Sequence, residues 1–228
     1  MENSVIIIGS ILHQDTMYNQ LISCGYPKER IFHGIVRELT GFQYFDYFEP
    51  NEHEIFVDVG SLNGKTSVEF TNWANKGYDY IYAFEANPDS IEDCKKTFKE
   101  YELKGEVIGK GLWNKEEVVN FNFALAKGRS GWISKSGKGC IETTTLDHIL
   151  AGNKVTFIKM DIEGAEYNAL IGSKLTIQKW KPRLAICVYH KPEDILEIPA
   201  LLLDIQPDYK FALRQYLSDG HDTILYAY

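Results

Sequence analysis

The chain lacks the features that mark several large classes of protein. It has no apolar run long enough to cross a membrane, and its first residues lack the basic region of a secretory signal. Its four cysteines form no C-x-x-C pair, which excludes the common zinc-ribbon and thioredoxin-type spacings. These absences lead us to expect a cytoplasmic protein with reduced cysteines.

Basic charge is also scarce. The chain has 24 Lys and Arg against 32 Asp and Glu, for a formal net charge of −8. Nucleic acids and anionic membranes are bound through a surplus of basic side chains, so neither is expected as a partner. Otherwise the composition, 44% hydrophobic and 25% charged, is that of a globular protein, and 228 residues suffice for one full α/β domain.

What the chain does have is a regular alternation of short apolar runs with segments of helical period. Runs rich in Val and Ile predict buried strands at 5–8, 55–59, 80–84, 107–112, 155–160 and 184–188. Helical periodicity is present at 14–24, 65–75, 89–101, 165–171 and 193–203, and Asp147 is predicted to be the N-cap of a further short helix. This alternation predicts an α/β protein with a doubly wound, mostly parallel sheet built from crossover units.

Three segments depart from this alternation. Residues 118–123 and 132–145 predict an antiparallel hairpin, and 209–215 and 223–228 flank the turn signal Ser218-Asp219-Gly220, so the main sheet should end in an antiparallel hairpin strand. Residues 1–50 predict a small strand–helix–strand extension with too little apolar surface to fold alone. We expect it to pack on the main domain, residues 51–228, or on a second subunit in a homodimer.

The strongest chemical signal follows the strand at 55–59. Asp58 lies near the end of this strand, and the chain then turns through Gly60, Ser61, Asn63 and Gly64 into a helix. Glycine lets a backbone approach a ligand closely, and a helix N-terminus offers free N–H groups to a carboxylate. The spacing fits neither a dinucleotide fingerprint nor a P-loop. Asp58 is predicted to accept hydrogen bonds from a ligand ammonium group or from loop N–H groups; a tight turn without a ligand is the alternative.

Acidic residues also follow two other predicted strands. Glu85, with Ala86, comes one βα unit after the glycine turn, where a carboxylate commonly accepts ribose hydroxyls; helix capping is the alternative. Asp161 and Glu163 follow the strand at 155–160, whose end should face the same crevice across the switch point of the sheet. Lys159, in the same segment, is expected to pair with an acid.

Together these segments resemble the FkbM family of methyltransferases. The resemblance covers about residues 40 to 228 and depends on residues 58–64, 84–88, 111–114, 144–147 and 159–166. It implies a Rossmann-like class I methyltransferase fold and S-adenosylmethionine as cofactor. The cofactor-binding residues that we predict are Asp58, Gly60, Ser61, Asn63, Gly64, Glu85, Ala86, Leu112, Trp113 and Asp161, with Trp113 placed near the adenine.

Methyl transfer to a hydroxyl requires a group that removes or weakens the O–H bond. His190, after the strand at 184–188, is the first candidate base, and helix capping is its alternative role. Asp161 and Glu163 are the other catalytic candidates, and with His190 they offer ligands for a Mg²⁺ ion. The leading hypothesis is O-methylation of a saccharide, which only the resemblance suggests, or of another small metabolite. N-methylation and a catalytically silent cofactor-binding scaffold stay open.

Overall fold

The computed structural model describes residues 6–7, 14–32, 43–75, 77–123, 131–216 and 222–228. The helices are α1 (Gln14–Ser23), α2 (Lys65–Trp73), α3 (Pro88–Glu100), α4 (Leu146–Leu150), α5 (Glu166–Ile171), α6 (Lys174–Trp180) and α7 (Asp194–Ile205). The strands are β1 (Ile6–Ile7), β2 (Ile31–Phe32), β3 (Glu54–Val59), β4 (Tyr78–Phe84), β5 (Gly105–Ile108), β6 (Gly111–Leu112), β7 (Val118–Phe123), β8 (Gly131–Ile133), β9 (Gly139–Thr144), β10 (Phe157–Met160), β11 (Arg183–Cys187), β12 (Phe211–Gln215) and β13 (Thr223–Ala227).

The main sheet of the described residues has seven strands in the order β12-β13-β11-β10-β3-β4-β5. Neighbouring strands from β11 to β5 are parallel, and β13 is antiparallel to both β11 and β12. The chain runs outward from β3 to β5 and then returns to β10, so the switch point lies between β3 and β10. The predicted doubly wound sheet and its antiparallel strand are confirmed, whereas the turn at 218–220 lies outside the described residues.

Helices cover both faces of this sheet because successive strand residues point to opposite sides. On one face Val57 packs in a cluster with Leu202 of α7. On the other face Phe56 and Phe157 pack with Phe70 of α2, and the rings of Phe56 and Phe70 are stacked 4.3 Å apart. Each large apolar side chain buried in this way stabilises the fold by roughly 1.5–3 kcal/mol. The core therefore holds the central strands, and their carboxyl ends, in fixed positions.

Two local predictions are corrected. The apolar run at 107–112 is not one strand, because the chain bends at Gly109 and Lys110, and β6 leaves the main sheet to pair with β9. Asp147 is not the N-cap of α4; Thr145 is, and its side chain accepts the His148 N–H at 3.0 Å. The Asp147 carboxylate instead accepts backbone N–H groups at the start of α6, a helix that the sequence pattern did not predict.

A second sheet of four strands has the order β6-β9-β7-β8. Within it β7 is antiparallel to both β8 and β9, which confirms the predicted hairpin. Near the start of the chain, β1 and β2 are parallel with α1 between them, as predicted for the extension. Residues 5, 8 and 33–42 of that region lie outside the described residues.

The last residues of the predicted extension pack against the main domain. Tyr44 and Phe45 are buried in the cluster that contains Phe56 and Phe70. The ring of Phe45 is stacked on that of Trp73 with centroids 5.4 Å apart. This segment therefore brings side chains from before residue 50 to the central strands. Among the described helices, none is both long and apolar enough to cross a membrane.

Candidate active site

A cleft of ≈ 710 Å³, including the open space at its mouth, lies at the carboxyl ends of β3, β4 and β10. Ligands of doubly wound folds bind at this edge of the sheet. The lining residues are Gly60, Leu62, Glu85, Ala86, Gly111, Leu112, Phe121, Gly131, Ile133, Ile141, Asp161, Ile162, Glu163 and Ala165. Six of the predicted site residues are therefore brought together here: Gly60, Glu85, Ala86, Leu112, Asp161 and Glu163.

The turn after β3 packs directly against the loop after β10. Gly60 has φ +77°, and a Cβ at this position would lie 2.0 Å from the carbonyl oxygen of Asp161. Glycine is therefore required here by the contact between two loops as well as by any ligand. Gly64, with φ +79°, precedes α2, and the Asn63 side chain accepts the Lys65 N–H at 3.2 Å. Gly64 and Asn63 thus shape the start of α2 and do not line the cleft.

Asp58 is fully buried behind the cleft and forms an ion pair. Its Oδ1 lies 3.1 Å from Lys159 Nζ, and the Ser67 hydroxyl donates to its Oδ2 at 2.8 Å. The ammonium group of Lys159 also donates to the carbonyls of Val59 (3.2 Å) and Gly60 (2.7 Å). Burial lowers the pKa of Lys159, but the carboxylates of Asp58 and Asp161 more than offset this and leave that pKa raised. Asp58 thus stabilises the turn through Lys159 and does not line the cleft, where the sequence predicted a contact with a ligand ammonium group or loop N–H groups.

Glu85 lines the cleft and organises two backbone segments. Its Oε1 accepts the N–H groups of Ala86 and Asn87 at 2.8 Å, and its Oε2 accepts the Leu62 N–H at 2.8 Å. Burial raises the pKa of Glu85, and these N–H donors offset only part of the shift. A carboxylate has about four lone-pair sites. Oε2, with one donor, therefore retains capacity for a hydroxyl group in the cleft.

Two further predicted cofactor residues, Ser61 and Trp113, do not line the cleft. Ser61 is buried, and its hydroxyl donates to the Phe84 carbonyl at 3.3 Å. Trp113 leaves β6 in the direction of α5 and α6, and its carbonyl packs so tightly on Gly172 that a Cβ there would lie 2.0 Å away. The Trp113 N–H donates to the Thr144 carbonyl at 2.8 Å. Trp113 is not among the residues that line the cleft, and its place near the adenine stays a prediction.

His190 lies behind the acidic residues of the cleft, with only 7% of its side chain exposed. Its Nε2 is 3.5 Å from Asp161 Oδ1 and 3.4 Å from Glu163 Oε2, and its Nδ1 is 2.9 Å from Glu166 Oε1. Burial lowers the pKa of His190, but the hydrogen bond to Glu166 and the neighbouring carboxylates outweigh it. The pKa is raised above the ordinary value of 6.5. The three predicted catalytic residues, His190, Asp161 and Glu163, thus form one cluster.

Asp161 is the most connected acid of this cluster. The Tyr44 hydroxyl donates to its Oδ2 at 2.8 Å, and the Tyr189 hydroxyl donates to its Oδ1 at 3.3 Å. Burial raises the pKa of Asp161, but the charge of Lys159, the Tyr44 hydrogen bond and His190 more than offset it. The net pKa is lowered, so Asp161 is an ionised carboxylate at neutral pH.

Tyr44 and Glu166 also belong to this site, although the sequence did not lead us to predict them. Glu166 falls within the segment that carries the family resemblance, and this is the signal that should have drawn attention to it. Nothing local marks Tyr44, which is 117 positions from its partner Asp161. Atoms of Asp161, Glu166 and His190 that are able to bind a metal lie within 4.8 Å of one another, so this group contains Glu166 and not Glu163, which the sequence predicted as a ligand.

Comparison with known proteins identifies the family. Residues 58–213 match the Methyltransferase FkbM domain. The structure also matches that of the FkbM methyltransferase from Methylobacillus flagellatus KT, with 27% identity and a TM-score of 0.65 over 77% of this chain and 44% of that chain. The chain therefore spans less than half the length of that relative. A comparison with curated proteins found no match.

Two more distant structures share the fold. An rRNA methylase from Streptococcus thermophilus is 16% identical, with a TM-score of 0.52 over 86% of this chain and 97% of that one. Aeropyrum pernix fibrillarin, solved with S-adenosyl-L-methionine, is 11% identical, with a TM-score of 0.52 over 79% of this chain and 69% of that one. They confirm the predicted Rossmann-like fold of class I methyltransferases. With a family match over more than half of its length, the chain belongs to the FkbM methyltransferase family.

Proposed function

We propose that this protein transfers a methyl group from S-adenosylmethionine to a hydroxyl oxygen of a saccharide or another small metabolite. The observation that supports oxygen as the acceptor atom is the cluster of His190 with Asp161 and Glu163 at the cleft. An alcohol must lose its proton as it attacks, and in this cluster His190 is available as the base that accepts it.

The cleft residues fit the cofactor. Glu85 Oε2 has room to accept a ribose hydroxyl. A Cβ at Gly111 would lie only 3.0 Å from Ile141, so this glycine lets β6 pack closely on the cleft wall. The apolar residues Ala86, Leu112 and Ile141 of that wall offer faces against which a flat base can pack. Asp161, an ionised carboxylate at the cleft wall, suits the ammonium group of the methionine part. When bound, the cofactor supplies an electrophilic methyl group on a sulfonium.

The chain's own residues would provide orientation and the path of the proton. Glu163 lines the cleft with 41% of its side chain exposed and contacts His190 Nε2, so an acceptor hydroxyl against Glu163 lies next to a basic pair. His190 takes up the proton and is stabilised as an imidazolium between Glu163 and Asp161. Positioning two reactants in near contact accounts for much of the rate acceleration in such reactions.

The acceptor class is inferred from charge and shape. A net charge of −8 disfavours a nucleic-acid substrate. The wall formed by Phe121, Ile133 and Ile141 offers apolar faces against which a sugar or another ring can pack. The comparisons give no support to Mg²⁺, and the proton path above does not need it. The cytoplasm stays the proposed location, on the sequence grounds alone.

The test is a transfer assay with isotopically labelled S-adenosylmethionine and a panel of hydroxyl and amine acceptors, read by mass spectrometry. We expect O-methylated products and a fall of about 10²–10⁴-fold in rate for His190→Ala. The matched control is His148→Ala, an exposed histidine also near a glutamate, 3.5 Å from Glu116 Oε1. Its rate should not change.

Two outcomes would replace the proposal. Products methylated on nitrogen, with a rate that His190→Ala barely changes, would favour an N-methyltransferase. Cofactor binding without turnover on any acceptor would favour the silent scaffold.

A further inference from the structure

We infer that Glu166 is a positioning residue that holds His190 in the tautomer and orientation needed for proton transfer. This inference rests on the proposed function, in which His190 takes the acceptor's proton. Glu166 itself does not line the cleft, so any effect on the reaction passes through His190 and the loop after β10.

The contact between the two side chains is direct and enclosed. Glu166 is fully buried in the first turn of α5, and its Oε1 is 2.9 Å from His190 Nδ1. A carboxylate only accepts hydrogen bonds, so at this distance it favours a neutral imidazole with its hydrogen on Nδ1 and repels one with a lone pair there. The lone pair is then on Nε2, which is the nitrogen that faces Asp161 and Glu163.

The same carboxylate also holds the loop that carries the two acids. Glu166 Oε1 accepts the N–H of Ile162, which lies between them in sequence, at 2.8 Å. Glu163 has φ +54°, a conformation that costs energy in any residue other than glycine and that persists only when its surroundings maintain it. Glu166 thus sets the position of His190 relative to the loop, because the same oxygen accepts the Ile162 N–H and contacts the His190 ring.

Several charged groups surround His190, and they come from different elements. Asp161 and Glu163 belong to the loop after β10, and Glu166 belongs to α5. Asp194 of α7 also interacts with His190, and burial together with the Glu166 charge raises the pKa of Asp194 to about 6. Of these groups Glu166 has the shortest contact with the ring and is the only one of the three contacting acids that is fully buried.

The experiment is nitrogen-15 NMR of the full chain, which reports the tautomer and the pKa of His190 without an acceptor or turnover. The His190 signals are assigned by comparison with His190→Asn. We expect the wild-type ring to carry its hydrogen on Nδ1 when neutral. Glu166→Gln should lower the pKa of His190 by about one unit, as expected when a contacting charge is removed. Glu166→Asp keeps the charge and should restore much of that pKa.

The matched control is Glu54→Gln, which neutralises another fully buried glutamate at the opposite end of the sheet. It should leave the tautomer and the pKa of His190 unchanged. The inference is overturned if the neutral wild-type ring carries its hydrogen on Nε2. It is equally overturned if Glu166→Gln shifts nothing, or if Glu54→Gln shifts His190 as much.

Activity adds a second measurement. In Glu166→Gln the midpoint of kcat/KM against pH should move to lower pH by the same amount, with the KM for S-adenosylmethionine within about twofold of wild type. Lack of turnover in wild type would reject the proposed function. The NMR experiment would then still test whether Glu166 positions His190, because it does not require turnover.

Discussion

Strand β3 carries a buried carboxylate near each end, and the two are neutralised in different ways. Glu54, at its start, pairs with Arg183, whose guanidinium lies 5.5–5.6 Å from the ring centroids of Phe48, Trp73 and Phe157. At this end the cation lies among aromatic rings, and the pair also contacts the backbone of Glu49 and Asn51, away from the cleft.

Near the other end, Asp58 pairs with Lys159, and the lysine donates onward to the carbonyls of Val59 and Gly60. The second pair is therefore joined to the turn that lines the cleft, whereas the first is not. The comparison shows that similar buried ion pairs can have different roles: the pair at the amino edge stabilises the core, and the pair at the carboxyl edge also fixes the turn that lines the cleft.

The largest effect is expected from Asp58→Ala. This change leaves the Lys159 ammonium buried without its main partner, which costs about 3–5 kcal/mol in the free energy of unfolding. Urea denaturation measures it.

The double variant Asp58→Leu/Lys159→Met should recover most of the stability, since an apolar pair of similar volume is often tolerated. Its affinity for S-adenosylmethionine should nevertheless be lower than that of wild type, because the Gly60 carbonyl loses its donor. Wild-type affinity in the double variant would contradict the proposed link to the cleft.

Arg183→Met is expected to cost about 3 kcal/mol, because it leaves Glu54 buried without its cation. In contrast to the Asp58 variants, it should leave the affinity for S-adenosylmethionine within about twofold of wild type when measured below the unfolding transition. A large loss of affinity for S-adenosylmethionine would show that the two edges of the sheet are coupled, and it would contradict the difference between the two ion pairs.

Glu85→Ala is expected to weaken binding of S-adenosylmethionine by about 10–100-fold, corresponding to the roughly 1.5–3 kcal/mol of a hydrogen bond to a charged group. Calorimetric titration measures it. Glu92→Ala on α3, an exposed glutamate paired with Lys95, is the control and should bind normally. Equal affinities for Glu85→Ala and wild type would remove Glu85 from the cofactor site.

The smallest effect concerns pH. The raised pKa of His190 gives a stability contribution that is fully present below pH 6.5 and is lost as the pH rises through the folded-state pKa. Activity should follow the opposite course, since the neutral ring is the base, so kcat/KM should rise over the same interval. Urea midpoints and kcat/KM, each measured from pH 6 to 9, test this. Parallel trends in the two quantities would contradict the assignment.

Much of the fold could be predicted because the sheet is buried on both faces and its strands read as apolar runs separated by helical segments. The split between β5 and β6 could not, because both halves have the same apolar character. The second half leaves the main sheet only because it pairs with β9, more than 30 positions later. The cap of α4 was misassigned because Thr145 and Asp147 are both good capping residues, and the contact with α6 decides between them.

The site was predictable where chain order places a residue at a strand end, as for Glu85 and Asp161. The side-chain partners of the site residues could not be predicted in this way. Asp58 is turned to Lys159, its direct neighbour in the register between β3 and β10, and this pairing follows from the sheet and not from local sequence. Trp113 was placed near the adenine because its side chain suggested a ligand contact, whereas the close packing of its carbonyl on Gly172 could not be predicted from the sequence.

The central claim, that the cleft binds S-adenosylmethionine, is tested most directly by calorimetric titration of the wild type and of an Asp58→Ala/Glu85→Ala double variant, with S-adenosylhomocysteine, NAD and ATP as further ligands. Circular dichroism should first show that the double variant is folded at the working temperature. We predict dissociation constants on the order of micromolar for the two adenosyl ligands with wild type, and no measurable binding to the double variant. Absence of binding to wild type, or equal binding to both proteins, would contradict the account.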